Sequence, residues 1–289
     1  MDTVIGKGDQ LIVIAEDDSM IKLGGNKSPA IDEEALRNPS MRPQPTERTL
    51  ILGYNWRVPG MITQMDEYVA EGSEVTIVSD DPAHAETLKE ECALKRMTLT
   101  FKEGDTTDRR TLDDLNVPSF DHVILMCSDE LDIQKADART LIALLHLRQI
   151  VDKSGKDVGL VSEMLDMRNR NLAEVTRADD FIVGGKLISL MMSQISENKD
   201  LNAVFNDLFS PEGSEIYLKP IEDYVSLGKP LSFYSLVEAA RRRGHTAIGY
   251  RRIKLKNDPT KGYGVFLNPL KSEMVTLEEG DKLVVLAEN

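Results

Sequence analysis

The sequence has 289 residues, of which 41% are hydrophobic and 29% charged, as in an ordinary globular protein of one or two domains. Its formal net charge of −14 argues against a nucleic-acid partner or an anionic membrane surface, because both require a dominant basic face. No apolar run approaches the roughly 20 residues that cross a bilayer, and the N-terminus lacks the regions of a signal peptide. We therefore expect a soluble, intracellular chain whose two cysteines, Cys92 and Cys127, are buried thiols.

A nine-residue motif occurs twice, at residues 8–16 and at residues 280–288. The copies read G-D-Q-L-I-V-I-A-E and G-D-K-L-V-V-L-A-E, and they match at Gly, Asp, Leu, Val, Ala and Glu. A Gly-Asp turn followed by an apolar, β-branched run is typical of a strand. We therefore expect the first copy to be the last strand of one module and the second copy to end a complete second module.

Between the two copies, residues 21–46 lack a regular hydrophobic pattern, whereas the residues from 47 onward show one. Residues 21–46 contain Gly24-Gly25 and four prolines, which predicts a linker. From residue 47 onward, short apolar runs alternate with helical spacing. The predicted strands are 49–53, 74–79, 99–101, 122–127, 158–162 and 180–183, and the predicted helices are 58–70, 82–93, 108–115, 133–152 and 168–176. This alternation predicts an α/β fold with a Rossmann-like, doubly wound parallel sheet.

The pattern changes after the predicted sheet. Helices are predicted at 187–197 and 201–209, and we expect them to leave the sheet as a crossover. Beyond them, short strands at 216–220, 246–251, 264–267 and 282–287 surround one helix at 234–243. These elements predict a small α+β lobe at the C-terminus. The run Arg241-Arg242-Arg243-Gly244 closes its helix, where cations and glycine favour capping over phosphate binding.

The first turn between a strand and a helix argues against a dinucleotide site. The Rossmann fingerprint is G-x-G-x-x-G, whereas this turn reads Gly53-Tyr54-Asn55-Trp56-Arg57. Asn55 stands where the backbone must approach the pyrophosphate. Asp80 and Asp81 follow the second strand, where a carboxylate would hold a ribose hydroxyl. The turn therefore favours a scaffold that does not bind NAD, and Gly53, Asp80 and Asp81 are the candidates if a nucleotide does bind.

Catalytic motifs are also missing from the sequence. No Ser/His/Asp or Cys/His set falls at the predicted strand ends, and there is no P-loop lysine motif. We therefore expect that the chain is not an enzyme.

Short motifs, in order along the chain, resemble the cytosolic region of the CASTOR/POLLUX ion channels. They are G-D-Q-L-I-V-I-A-E-D-D at 8–18, I-L-G-Y-N-W-R at 51–57, F-D-H-V-I-L at 120–125, S-E-M-L-D at 162–166, F-N-D-L-F at 205–209 and A-I-G-Y-R at 247–251. The resemblance covers nearly everything from residue 8 to the end. These tetrameric cation channels, of plants or bacteria, carry tandem RCK (regulator of K⁺ conductance) domains below the pore.

The resemblance implies a division of the chain and a set of partners. Residues 1–20 would be the C-terminal strand of a preceding RCK unit and 21–46 a linker; 47–185 would be a Rossmann-like N-lobe, 186–210 a helical crossover and 211–289 the C-lobe. The implied partners are pore-forming transmembrane helices, the preceding RCK unit and other copies of the chain in a gating ring. On the cytosolic face of a membrane, such a ring couples ligand binding to pore opening.

The resemblance also implies calcium as the sensed ligand. Calcium takes six to eight oxygen ligands, and an α/β sheet binds ligands at the carboxyl ends of its strands. The candidate ligands at those ends are Asp80, Asp81, Asp105, Glu130, Asp132 and Glu163. Each has a structural alternative. Asp80, Asp81 and Asp132 suit helix caps, and Glu163 suits a salt bridge with Arg168, Arg170 or Arg139.

Two other functions stay open on the sequence alone. One is an NAD-binding regulatory subunit of a potassium uptake system, which predicts nucleotide binding. The other is a Rossmann oxidoreductase with a degenerate fingerprint, which predicts turnover with NAD(P)H.

Overall fold

The computed structural model describes residues 4, 6–15, 30–38, 44–156, 158–169, 180–210, 213–256 and 258–288. The chain divides into two compact units. One unit comprises residues 42–204, and the other comprises residues 1–41 together with 205–289.

The unit 42–204 is built on a parallel sheet with helices on both faces. Its strands and helices are β1 Arg48–Leu52, α1 Val58–Tyr68, β2 Ser73–Ser79, α2 His84–Glu91, β3 Met97–Glu103, α3 Arg109–Asp114, β4 His122–Leu125, α4 Ile133–Ser154, β5 Gly159–Met164, β6 Asp180–Val183 and α5 Gly184–Glu197. In the described residues the six strands lie in the order β3-β2-β1-β4-β5-β6, and all their pairings are parallel. The order reverses between β1 and β4, which confirms the predicted doubly wound, Rossmann-like sheet.

Burial on both faces explains why Leu50–Leu52 of β1 is a continuous apolar run. In β1, Leu50 and Leu52 pack into a cluster with Leu144 and Leu147 of α4. Ile51, between them, points to the other face and packs into the cluster that contains residues of α1 and α2. A strand buried on both sides has no polar positions to alternate with apolar ones.

The sequence sets both ends of α4. The Asp132 side chain accepts a hydrogen bond from the backbone N–H of Lys135 (3.1 Å), which caps the first turn. Gly155 follows the last residue in the left-handed region (φ 67°), as C-terminal caps commonly do. The helix therefore starts at the residue that the sequence predicts and ends two residues later.

The second unit contains a C-terminal lobe, residues 213–288, with an antiparallel sheet. A further helix, α6 Leu201–Leu208, precedes it, and its elements are β7 Glu215–Pro220, β8 Pro230–Ser232, α7 Phe233–Arg241, β9 Thr246–Arg251, β10 Val265–Leu267, β11 Met274–Thr276 and β12 Lys282–Ala287. One sheet has the order β10-β9-β12-β7, and β8 pairs with β11 in a separate two-stranded sheet. This arrangement confirms the predicted α+β lobe and adds the pair β8–β11, which the sequence did not predict.

Part of the predicted linker packs on the C-terminal lobe. Residues 30–38, called the strap below, contain the 3-10 helix Glu33–Ala35. The Ala35 side chain lies in the core of the lobe, and Leu36 forms a β-bridge with Val225. The carbonyl of Ala35 accepts a hydrogen bond from the N–H of Ser226 (2.8 Å). The sequence predicts only a loop or linker over residues 21–46. The structure adds that residues 30–38 pack on the lobe, because Ala35 lies in its core and Leu36 packs against that core.

The two copies of the repeated motif share a turn, but only the second forms a strand. Gly8 and Gly280 both have positive φ (104° and 88°). Asp9 accepts from the N–H of Gly6 (2.7 Å), as Asp281 does from the N–H of Glu278 (3.0 Å). The second copy continues as β12, between β7 and β9, whereas residues 9–15 form no strand. The strand predicted for the first copy is thus absent from the described residues, because no neighbouring strand pairs with it.

Two further findings concern helices. The helix predicted at 168–176 lies almost wholly outside the described residues, which include only the 3-10 helix Met167–Asn169 at its start. No described helix combines the length and the apolar character that crossing a membrane requires.

Candidate functional site

A cavity of about 140 Å³ opens at the carboxyl edge of the parallel sheet. Its walls come from the ends of β1, β2 and β4 and from the first turns of α4, which is where the strand order reverses. Open α/β sheets bind ligands at this position. The polar residues lining it include Tyr54, Ser79, Asp80, His84, Ser128, Asp129, Glu130 and Arg139.

Gly53, at the end of β1, is required by the packing of the sheet. Its φ is 91°, and a Cβ added to it would lie 2.4 Å from the carbonyl oxygen of Met126. Its N–H donates to the carbonyl of Val78 (2.9 Å). The one fingerprint glycine that this chain keeps therefore lets β4 approach β1, which accounts for it without a nucleotide.

Asn55 occupies the position of the second fingerprint glycine, and its side chain is turned into the protein. It is 1% exposed. Its Nδ2 donates to the carbonyl of Cys127 (2.8 Å) and to Oε2 of Glu163 (2.9 Å), and its Oδ1 accepts from the N–H of Arg57 (3.0 Å). Asn55 therefore ties the end of β1 to the ends of β4 and β5.

The Glu163 carboxylate is the centre of this polar cluster. Besides Asn55, it accepts from the N–H of Cys127 (3.1 Å) and forms a salt bridge with the guanidinium of Arg57. Burial raises the pKa of the neighbouring Cys127 thiol to about 12, so this thiol is protonated at neutral pH. Glu163 therefore has an arginine partner, but this partner is Arg57 and not Arg139 or Arg168, which pair with other carboxylates. Arg170, the third predicted partner, lies outside the described residues.

Arg139 joins two of the predicted cation ligands. Its Nη2 lies 2.9 Å from Oδ2 of Asp80 and 3.0 Å from Oδ1 of Asp105. Asp105 also accepts from the N–H and the hydroxyl of Thr107 (2.9 and 2.7 Å). Burial alone would raise the pKa of Asp105, but these hydrogen bonds and the charge of Arg139 outweigh it and hold the pKa below its usual value. We call Asp80, Asp105 and Arg139 the Arg139 bridge.

The other predicted cation ligands have different surroundings. Asp81 accepts from the N–H of Ala83 (2.8 Å) before α2. Asp132 caps α4, and the hydrogen bonds from the side chain and the backbone of Lys135 hold its pKa below the usual value. Glu130 lines the cavity.

As arranged, the six predicted ligands do not form a calcium site. Within the part of the chain that the structure describes, no three Asp, Glu, His or Cys side chains are grouped so as to hold a metal ion. Asp80 and Asp105 meet at Arg139, and Glu130 lines the cavity. Of the other three, Asp81 accepts a backbone N–H in the turn before α2, Asp132 caps α4 and Glu163 pairs with Arg57.

An aromatic pair lines the cavity and was missed in the sequence. The rings of Tyr54 and His84 are stacked, with centroids 3.8 Å apart and planes at 16°. Nδ1 of His84 lies 2.8 Å from the Ser79 hydroxyl. Burial first, and nearby acidic groups second, raise the pKa of Tyr54. These residues come from different turns of the chain and form no motif, so only the fold could bring them together.

Comparisons with known proteins match this chain to one domain family and to ion channels. The family model of the TrkA-N domain matches residues 50–183, which run from β1 to β6. A probable POLLUX ion channel of Oryza sativa is 28% identical, over 99% of this chain and 32% of the relative. The CASTOR ion channel of Lotus japonicus is 27% identical, over 86% of this chain and 33% of the relative. The chain spans about a third of the length of these curated relatives.

Among solved structures, the gating ring of human SLO3 matches with a TM-score of 0.58. The match covers 84% of this chain and 44% of the other, at 12% sequence identity. Similarity at this level shows a shared fold alone.

Proposed function

We propose that this chain is a ligand-sensing regulatory region of a cation channel. It is homologous to the CASTOR and POLLUX ion channels over most of its length, and it contains a TrkA-N (RCK) domain. The extent of the similarity carries the proposal, because one channel aligns with 99% of the chain. The fold shared with the SLO3 gating ring supports the same assignment. The proposal assigns no catalytic reaction to the chain.

In this proposal the chain works as part of a larger assembly. Residues 1–20 belong to a preceding RCK unit, and residues 47–185, 186–210 and 211–289 form the N-lobe, crossover and C-lobe of a second one. Pore-forming helices and further copies complete a gating ring on the cytosolic face of a membrane. A ligand that binds one state of the ring more tightly shifts the pore by that difference in affinity and no more.

We place the ligand site at the cavity between β1 and β4, and the Arg139 bridge is the part that a ligand would rearrange. Asp80 and Asp105 follow β2 and β3, whereas Arg139 lies in α4, so the bridge ties two loops to a helix. A cation that binds Asp80 or Asp105 competes with Arg139, and an anion that binds Arg139 competes with both carboxylates. A local binding event would thereby alter the link between the sheet edge and α4.

Calcium is the ligand to test first, since six acidic side chains lie along this edge. Their present arrangement is not a calcium site, and binding requires that Asp80 and Asp105 leave Arg139. We expect calorimetric titration to show calcium binding to the wild-type chain and an affinity at least about tenfold lower in the double variant Asp80→Asn, Asp105→Asn. Glu74→Gln is the matched control, because Glu74 lies exposed near the other end of β2.

Thermal shifts separate the alternatives. A ligand that binds only the folded chain raises the melting temperature. A shift with NAD or ATP but none with millimolar calcium would exclude the calcium assignment and favour a nucleotide-binding regulator. Turnover with NAD(P)H, lost on changing Asp80 or Asp81, would instead support an oxidoreductase and contradict the channel proposal.

A further inference from the structure

The strap is attached to the C-terminal lobe next to a tyrosine–histidine pair. The N–H of Arg37 donates to the carbonyl of Tyr224 (2.9 Å), and Leu36 forms its β-bridge with Val225. Tyr224 is 2% exposed, and its hydroxyl lies 2.8 Å from Nδ1 of His245. Tyr224 therefore contacts the strap through its backbone and the histidine through its side chain.

Arg243 makes a second connection between the strap and this pair. Its guanidinium donates to the carbonyl of Asn38 in the strap (3.1 Å) and to the carbonyl of Asp223. The same guanidinium lies over the ring of Tyr224, 4.8 Å from the centroid, in a cation–π contact. Arg243 and His245 belong to the same turn, between α7 and β9. A charge that appears on His245 is thus two residues from the cation that holds the strap.

Burial determines the proton states of the pair at neutral pH. It raises the pKa of Tyr224 to about 12, so the phenol keeps its proton. Burial first, and the charges of Lys219 and Arg243 second, lower the pKa of His245 from its ordinary value of 6.5. A neutral imidazole can accept at Nδ1 from the Tyr224 hydroxyl, whereas an imidazolium donates from both nitrogens. When His245 is protonated, the Tyr224 hydroxyl can meet Nδ1 only as an acceptor, and its own proton loses this partner.

The elements around His245 repel a proton there more than they attract one. Their cations are Lys219 of β7, Arg37 of the strap and Arg243 of the turn. Their acidic groups have partners of their own: Glu215 accepts from the Tyr217 hydroxyl, and Glu238 of α7 pairs with Arg241 and Arg242. The charge of Asp223, which precedes Tyr224, raises the pKa of that tyrosine. On β12, the register partner of Thr246 is the apolar Leu286.

We propose that His245 is a pH-sensitive switch for the attachment of the strap. While His245 is neutral, the Tyr224 hydroxyl has its acceptor and Arg243 holds the carbonyl of Asn38. Protonation removes that acceptor and adds a positive charge near Arg243, so residues 35–38 detach more readily as the pH falls. The strap lies between the first copy of the repeated motif and β1 in the sequence, and its release frees that length of connecting chain. The proposal depends on neither the identity of a ligand nor the channel assignment.

Hydrogen exchange of the full chain between about pH 5 and about pH 8 tests the switch, with each rate divided by the intrinsic rate at that pH. The reporters are the N–H groups of Arg37 and Ser226, which join the strap to the lobe. A histidine with a lowered pKa favours attachment above its ordinary value of 6.5 and opposes it below. Protection of both groups should therefore fall about threefold or more between about pH 7.5 and about pH 5. The N–H of Met97, in the other unit, is the internal reference and should keep its protection.

Two histidine variants distinguish the switch from a general effect of pH. His245→Gln keeps a side chain that can accept from the Tyr224 hydroxyl but cannot gain a charge, so protection of the strap should no longer depend on pH. His122→Gln is the matched control, because His122 is an exposed histidine of the other unit, and it should leave the response unchanged. Constant protection in the wild type, or a response that persists in His245→Gln, would overturn the proposal.

Titration of His245 followed by NMR tests the same link in the unaltered chain, whatever the stability of the variants. The midpoint of this titration should lie below pH 6.5 and coincide with the midpoint of the loss of protection. Midpoints that differ by about one pH unit or more would assign the loss to another group and overturn the proposal.

Discussion

Buried aspartates hold several loops of this fold in place by accepting backbone N–H groups. Asp66 of α1 accepts from three consecutive N–H groups that lead into β3, those of Lys95, Arg96 and Met97, at 2.7, 2.9 and 2.7 Å. Asp66 is 3% exposed. A buried N–H without a partner costs about 1–3 kcal/mol, so this one carboxylate determines where β3 begins.

Replacing Asp66 by asparagine is expected to lower the free energy of unfolding by about 3 kcal/mol, since one amide oxygen cannot serve three donors. Urea denaturation measures the change. Glu67→Gln, at the exposed neighbouring position, should leave the free energy nearly unchanged. An equal loss in both variants would contradict this role.

The same carboxylate predicts a pH dependence. Burial alone would raise the pKa of Asp66, but the three backbone hydrogen bonds outweigh it and hold the pKa below its ordinary value of 3.8. A lowered pKa stabilises the fold above the ordinary value, and this stabilisation is lost as the pH falls below it. The free energy of unfolding should therefore decline more steeply below about pH 4 in the wild type than in Asp66→Asn.

Asn55→Gly restores the missing fingerprint glycine, and we expect it to destabilise the chain without creating a nucleotide site. The change removes the donor to Glu163 and to the carbonyl of Cys127, and it should lower the free energy of unfolding by about 2–3 kcal/mol. Asn116→Gly is the control, because Asn116 is exposed with φ 52°, a conformation that glycine adopts freely. A gain in NAD binding by calorimetry would contradict the expectation.

Arg139→Gln tests the Arg139 bridge by removing its cation, whereas the Asp80 and Asp105 variants remove its carboxylates. Removing the guanidinium frees Asp80 and Asp105 from their competing cation, so calcium affinity should rise rather than fall. Calorimetry measures the change, with Arg110→Gln as control because Arg110 pairs with Asp108 outside the cavity. A loss of calcium binding in Arg139→Gln would show that the bridge supports the site instead of competing with it.

At the scale of elements, the sequence predicts what local pattern determines. Strands β1 to β5 carry apolar residues between turn signals, and α4 has a helical period with a cap at each end, so their positions follow from the sequence. The three-residue strands β8 and β11 are too short to show a period. The strap takes up its conformation only by packing on the core of the C-terminal lobe, which its own sequence does not reveal.

The same distinction between local pattern and tertiary contact applies to the candidate site. The position of Asp80 at a strand end is predictable, whereas its contact with Arg139, 59 residues away, depends on the assembled sheet.

The strap offers a prediction at this scale. Ala35→Asp would place a charge in the core of the C-terminal lobe, so we expect the strap to detach. Hydrogen exchange at Ser226, whose N–H donates to Ala35, should then become faster. Glu33→Gln should change this exchange little, since Glu33 pairs with Arg242 at the surface. Unchanged protection in Ala35→Asp would show that the strap does not hold this loop.

At the scale of the whole molecule, the chain leaves apolar surface exposed in both of its units. Ile216, Leu218 and Leu267 of the C-terminal lobe are 45–54% exposed. Leu187, Ile188, Leu190 and Met192 of α5 are 48–65% exposed. None of the residues of α5, which the structure describes in full, is buried. Isolated helices of this length are marginal in water, so an apolar helix without a packed face is expected to gain stability from a partner. The CASTOR and POLLUX relatives are about three times as long as this chain, which leaves room in them for a partner of α5.

The double variant Leu190→Glu, Met192→Glu is therefore expected to keep the melting temperature within about 2 °C of the wild type, because exposed substitutions change stability little. Solubility should rise, since two exposed apolar side chains become charged. Leu147→Ala in the core of α4 provides the comparison, with an expected loss of about 2–5 kcal/mol. Differential scanning calorimetry measures both. If the double variant melted as early as Leu147→Ala, α5 would be packed within the single chain, and its apolar face would not be available to the gating ring proposed above.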